Sequence, residues 1–343
     1  MANFSSSPLR RAFIMPQTSL RALPNASGTP TLTTAVLMPD TKVTLTPFNE
    51  LIEADYKTGT GSMLAGIQGR KGPGSWSAEA PVRPSGVAGT APQMDALLAG
   101  LFGATATIVA STSATYNLVD TFSPFAIFLF NLLATTNSQQ WAFGCVPSSA
   151  TINIGGAGYL KITANGKCVY VMFSDNFANE DVTAKAGYTA VPTVPASPTL
   201  TGNIVTPFTG TTSFGGSAMV EFRSASVSIM CAKDLRADGF TDPYPDAIVQ
   251  GRRKVSLTSL KCADSDGAVL TTVKNAAFNK TTMNVTIVQG ATAGSITTHT
   301  FKNVQFGNAV INESGSAFDV DFGDSPAHAS ALANTDEYVL AFT

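Results

Sequence analysis

Charge is what this chain has least of. Only 13% of its 343 residues are Asp, Glu, Lys or Arg, against ~25% in an ordinary soluble domain. Ser, Thr, Gly and Ala stand in their place. A surface this thin in charge suits a subunit that hides much of itself against its own copies, because a free monomer stays soluble through charge. An ordinary all-β secreted domain accounts for the composition equally well. The net charge of −2 argues against a nucleic-acid reader, which carries a basic patch or stripe.

Histidine and cysteine are also scarce. The two histidines, His299 and His328, have no partner motif, and the chain holds no GxSxG, HExxH or glycine-rich phosphate loop. An enzyme built on a general base is therefore not expected, nor is a cofactor. Cys145, Cys168, Cys231 and Cys262 form no CxxC pair and lack metal-ligand spacing. They read as buried thiols in a reducing compartment. Long apolar runs are missing too. The strongest, Pro124 to Leu133, has half of the ~20 residues a membrane helix needs. It reads as a strand buried on both faces, and no membrane partner is expected. The apolar stretch after Arg10-Arg11 stops at Pro16, too soon for a signal-peptide core.

What the chain does have is a second half that repeats the first in outline. Ile67-Gln68-Gly69-Arg70-Lys71 returns as Val249-Gln250-Gly251-Arg252-Arg253, and Ala142-Phe143-Gly144-Cys145-Val146 returns as Thr300-Phe301-Lys302-Asn303-Val304. From the second pair the register runs on without a gap, placing Ile152 on Val310, Leu160 on Phe318 and Ile162 on Val320. Two long copies of this kind predict two fused domains of one fold.

Composition and periodicity divide the chain into four parts. Residues 1–42 are rich in Ser, Thr, Pro and Arg and read as an N-terminal arm, either disordered or ordered on a neighbour. Residues 43–190 form the first domain, and residues 191–216, with four prolines, the linker. Residues 217–343 form the second domain. Met94, Leu97, Leu98, Leu101 and Phe102 make one helical stripe, stopped by Gly103. A second helix is expected near Val269 to Ala277, with Ser265 or Asp266 as N-cap. Tyr159 to Thr163 alternates as a half-buried strand, and Asn165-Gly166 predicts a tight hairpin turn after it. The fold class is thus mainly β (α+β), dominated by antiparallel sheet.

Two constellations are candidate contact sites. The repeated Gln68-Gly69-Arg70 and Gln250-Gly251-Arg252 read as turns before a strand, or as loops gripping an adjacent subunit through Arg70 and Arg252. Asp319 and Asp321 share one face of a strand whose Phe318, Val320 and Phe322 point the other way. A solvated acidic face is the plain reading; lining a channel, the same face would repel a passing polyanion. The first copy has Lys161 and Thr163 there.

The chain resembles the tail tube (major tail) proteins of long, non-contractile bacteriophage tails. The resemblance rests on the loop into Gly69-Arg70, strand Ser75–Ala80, helix Met94–Phe102 and strand Trp141–Val146. In the second copy it rests on Gly251 to Leu257, the helix from Val269 to Ala277, and Thr300–Phe322. It covers roughly residues 43–343. It implies two tandem β-sandwich domains, each with one flanking helix, whose hairpins join those of neighbours into an inner β-barrel. It further implies a structural protein of the virion, assembled in the bacterial host cytoplasm into stacked rings through which DNA passes. Two fused copies imply a trimeric ring with pseudo-sixfold symmetry, with a hexamer as the alternative. The implied partners are the chain itself, neighbouring tail proteins and transient, non-specific DNA. Another tail component of this fold (distal tail, hub or terminator protein) and a secreted β-sandwich adhesin or carbohydrate-binding protein are the competing expectations.

Overall fold

A computed structural model describes residues 10–21, 32, 34–39, 41–48, 50–52, 67–69, 72–132, 137–155, 159–173, 194–195, 205, 210–236, 244–314, 317–331 and 334–343. The fold is mainly β, with large antiparallel sheets and two helices among the described residues. The elements fall into two sets.

The first set opens with β1 (Arg10–Pro16), β2 (Val36–Met38), β3 (Lys42–Thr46), β4 (Leu51–Ile52), β5 (Ile67–Gln68) and β6 (Gly74–Pro81). Helix α1 (Asp95–Phe102) follows, then β7 (Thr107–Val109), β8 (Ser113–Asn117), β9 (Phe125–Leu132), the long β10 (Asn137–Gly155), β11 (Lys161–Cys168) and β12 (Tyr170–Phe173). The second set opens with β13 (Gly210–Phe214), β14 (Ser217–Ala218), β15 (Phe222–Met230), β16 (Lys233–Arg236), β17 (Ala247–Gln250) and β18 (Lys254–Ala263). Helix α2 (Ala268–Asn279) is followed by β19 (Thr282–Gln289), β20 (Thr297–Gln305), β21 (Val310–Ser314), β22 (Ala317–Asp321), β23 (Ser325–Ala327) and β24 (Tyr338–Phe342).

One sheet of 13 strands and one of seven hold most of them, and both draw strands from both sets. Along the larger sheet the order β3-β6-β11-β10 continues directly into β15-β18-β22-β21. The N-terminal half of β10 belongs to a second layer, β2-β1-β9-β10-β12. In the second set that layer is matched by β14-β13-β19-β20-β24 of the seven-stranded sheet, which β8 and β7 of the first set extend.

Alternation explains the burial. In β15, Ala225, Val227 and Ile229 are buried while Ser224, Ser226 and Ser228 reach solvent, the signature of a sheet with one face on the core. β9 is different. Phe125, Ile127 and Leu129 enter the main core, and Ala126, Phe128 and Phe130 enter a second cluster on the opposite face. The apolar run expected to be buried on both faces is so buried.

Several expectations need correction. The arm of residues 1–42 contains β1, which pairs with β9 over seven residues and buries Ala12 to Met15. Its apolar residues serve both clusters, so no alternation marks it as a strand. The linker of residues 191–216 contains β13, paired with β19. The arm also contains β2, paired with β1; residues 1–9, 22–31, 33 and 40 of the arm and 191–193, 196–204 and 206–209 of the linker lie outside the described residues. Asn165-Gly166 is no turn but lies within β11. Gly166 is there because an added Cβ would stand 2.0 Å from the Val146 carbonyl oxygen. Helix α2 begins after Gly267, and the Ser265 hydroxyl accepts from the Gly267 amide instead of capping the helix. Gly103 does stop α1: it is left-handed, and its N–H bonds the Ala99 carbonyl.

Candidate assembly surface

The two sets meet along a seam between β10 and β15. Seven residues from Ser149 to Gly155 face Met230 to Ser224 in antiparallel register. Ala150, Ile152 and Ile154 lie buried beside Ala225, Val227 and Ile229. On the opposite face, Ser226 donates to Asn153 across the seam at 2.9 Å, and within the first set Ser149 donates to Asn165 at 3.1 Å.

The register of the sequence repeat recurs in the sheet. β6 pairs with β11 through Glu79–Thr163, Ala80–Ile162 and Pro81–Lys161. β18 pairs with β22 through Lys261–Asp321, Cys262–Val320 and Ala263–Asp319. Each residue stands where the repeat places its counterpart. One strand further the match slips by one: Ile152 faces Ile162, but Ile311, not Val310, faces Val320. The pairing of β10 with β11 itself shifts by one residue between Pro147 and Ser149. Phe143 faces Tyr170 as Phe301 faces Tyr338, and both ring pairs stack, at 5.3 and 4.8 Å.

Because the order β3-β6-β11-β10 matches β15-β18-β22-β21, the outermost strands are β3 and β21. Among the described residues β3 pairs only with β6, and β21 only with β22. β3 shows Lys42, Thr44 and Thr46 to solvent, whereas β21 exposes Val310 and Ile311 beside Glu313. Ile152, at the seam, is 1% exposed, while Ile311 on β21 is 57% exposed. Leu160 is 1% exposed, while its counterpart Phe318 is 56% exposed. Edge strands of stable monomers are blunted by charge, proline or bulges, and large exposed apolar side chains such as Ile311 are not among those devices.

The repeated Gln-Gly-Arg motifs close two equivalent hairpins. Gln68 faces Leu51, and the Gly69 amide bonds the Glu50 carbonyl at 2.8 Å. Gln250 faces Lys233, and the Gly251 amide bonds the Ala232 carbonyl at 2.8 Å. The motif is thus a hairpin end, as its plainer reading has it. Arg70 lies outside the described residues, and Arg252 is exposed. The neighbouring Arg253 makes the contacts. Its guanidinium reaches Glu337 at 2.8 Å and Asp120 at 2.9 Å, tying the second set to the loop after β8. Arg253 was present in the repeat as the partner of Lys71, but nothing in spacing singled it out.

Lys233 is the other residue that sequence reasoning missed. Its side chain is buried, its Nζ donates to the Gly100 carbonyl of α1 at 3.0 Å, and burial lowers its pKa. A cation at the C-terminal end of a helix is favoured by the helix dipole. His299 is buried and neutral: its Nδ1 lies 2.9 Å from the Tyr338 hydroxyl, and burial pushes its pKa down to about 3. All four cysteines are free and buried.

Asp319 and Asp321 lie on the polar face of the larger sheet, half-buried. Val320 and Phe322 point into the core as expected, whereas Phe318 is exposed. Asp321 faces Lys261 and accepts from the Gly323 amide at 2.8 Å. The same face carries Thr44, Ser77, Thr151 and Ser228, with Lys161 bonded to Glu79 at 2.6 Å. That bond holds the Glu79 carboxyl below its usual range. The face is polar and of mixed sign, not an acidic patch.

No helix among the described residues is long and apolar enough to cross a membrane. Comparison with known protein families and with curated proteins finds no match.

Proposed function

We propose that this chain is a structural subunit of a phage tail tube, assembling with its own copies into stacked rings through which DNA passes. One observation carries the reading: the β10–β15 seam inside the chain is complete, and its two counterparts, β21 and β3, are left open at opposite ends of the same sheet. Repeating the seam between copies pairs β21 of one chain with β3 of the next, antiparallel, with Ile311 brought onto the side of Val43 and Leu45. Such head-to-tail contacts close into a ring when the rotation allows, and closure removes every edge.

With eight strands per chain along this path, three chains form a barrel of twenty-four strands with pseudo-sixfold symmetry. The two sets are then duplicated tube units within one polypeptide. The polar face of mixed charge becomes the lumen. Ser, Thr and Asn with scattered Lys and Asp give DNA neither a basic track to bind nor a dense acidic wall. The protein's place is the virion, after assembly in the bacterial cytoplasm, and its further partners are neighbouring tail proteins. It needs no chemistry of its own.

Negative-stain microscopy of the concentrated protein tests the proposal. Rings or tubes with a central hole are expected; dispersed single chains at high concentration overturn it.

A further inference from the structure

Helix α1 is covered on all sides: every residue from Ala96 to Phe102 is buried. Part of that cover comes from the second set. Lys233, which opens the β16–β17 hairpin, donates to the Gly100 carbonyl, and the Cys231 thiol lies 3.5 Å from the Leu101 carbonyl. The Phe102 ring sits 5.5 Å from that of Tyr338. The helix of the first set is thus held under a hairpin of the second.

Helix α2 has no such cover among the described residues. Both helices end alike, on a left-handed residue whose N–H bonds the carbonyl four residues back: Gly103 to Ala99, Lys280 to Ala276. Counting back from that cap puts Phe278 at the place of Leu101. Leu101 is 1% exposed; Phe278 is 87% exposed. A phenylalanine standing this far into water marks a contact surface when a partner of matching chemistry exists.

The chain carries that partner. The β4–β5 hairpin repeats β16–β17 in register and in its closing glycine bond, with Leu51 at the place of Lys233. Leu51 is 61% exposed, and Phe48 just before it is 49% exposed. At the covered helix the hairpin offers an ammonium to a carbonyl; at the open helix an apolar side chain faces an apolar one. Connectivity agrees as well. β15 pairs at the seam and leads into β16 over α1, and β3, at the open edge, leads into β4.

Resting on the ring reading above, we infer that the β4–β5 hairpin of one copy docks on the C-terminal half of α2 of the next copy, with Phe48 and Leu51 covering Phe278. The occupant is a second copy of this chain, on the side where β3 meets β21.

Leu51→Cys chains mixed with Phe278→Cys chains, assembled and then mildly oxidised, test this directly. The native cysteines are buried, so little background is expected. A covalent two-chain product from the mixture, and from neither variant alone, is the expected result. Rings visible by microscopy without that product overturn the docking and leave the ring standing; absence of any ring overturns both. A second variant guards against unfavourable disulfide geometry. Phe278→Ser should weaken assembly roughly 10- to 100-fold, the effect of exposing one large apolar side chain, while leaving the thermal unfolding of dilute single chains unchanged. Undiminished assembly of Phe278→Ser contradicts the inference.

Discussion

The middle and one end of the same sheet present the same kind of residue in opposite surroundings. At the β10–β15 seam Ile152 is sealed beside Val227; at the β21 edge Ile311 occupies the matching register position in water. Leu160 and Phe318, and Leu101 and Phe278, differ in the same way. In each pair the member from the second set is the exposed one, and it is still large and apolar. Random surface variation would place scattered apolar residues, which need no explanation. Three counterparts of buried contacts, all on the side away from the seam, are what the proposed contact with another copy would cover.

The comparison breaks most visibly by placing a charge on each side of it. Ile152→Asp buries an unpaired carboxylate and is expected to leave the isolated chain unfolded, at a cost of several kcal/mol. Ile311→Asp is expected to fold with an unchanged melting temperature and to abolish assembly. Thermal unfolding alongside sedimentation separates the two, and equal destabilisation of the isolated chain by both would remove the distinction.

A smaller effect sharpens the description of the sealed side. Arg253→Ala removes the partner of Glu337, whose carboxylate is nearly enclosed, and should cost about 3–5 kcal/mol in chemical denaturation. A loss below 1 kcal/mol would mean that the Arg253–Glu337 pair contributes little to the packing of the second set.

The last effect concerns pH and is small per unit. His299 is neutral in the fold, with a pKa of about 3 against an ordinary 6.5. The unfolded chain therefore takes up a proton first, and stability is intact above pH 6.5 and falls as pH drops toward 3, by up to ~1.4 kcal/mol per pH unit. His299→Gln should flatten that part of the profile. An unchanged slope across this window would mean that His299 is not the group responsible.

Much of the fold was legible because the repeat and the alternation are local patterns. The run from Pro124 to Leu133, the polar-apolar rhythm of Tyr159 to Thr163 and the glycine stop of α1 could be read directly. β1 and β13 could not. One carries apolar residues on both faces next to Arg10 and Arg11, and the other is short and rich in Thr and Ser. Asn165-Gly166 misled because its turn preference yields to the close approach of β10, which only glycine permits. The proposed contact surface was legible only as a repeat. Which arginine makes the tie, and that a lysine reaches a helix end, depends on residues more than 80 positions apart being brought together.

Hydrogen exchange of the assembled protein tests the central claim most directly. Those backbone amides of β3 and β21 that face away from β6 and β22 should exchange rapidly in dilute single chains. In assembled particles they should exchange as slowly as those of the β10–β15 seam. Particles in which both edges still exchange rapidly would show that the copies are held together some other way.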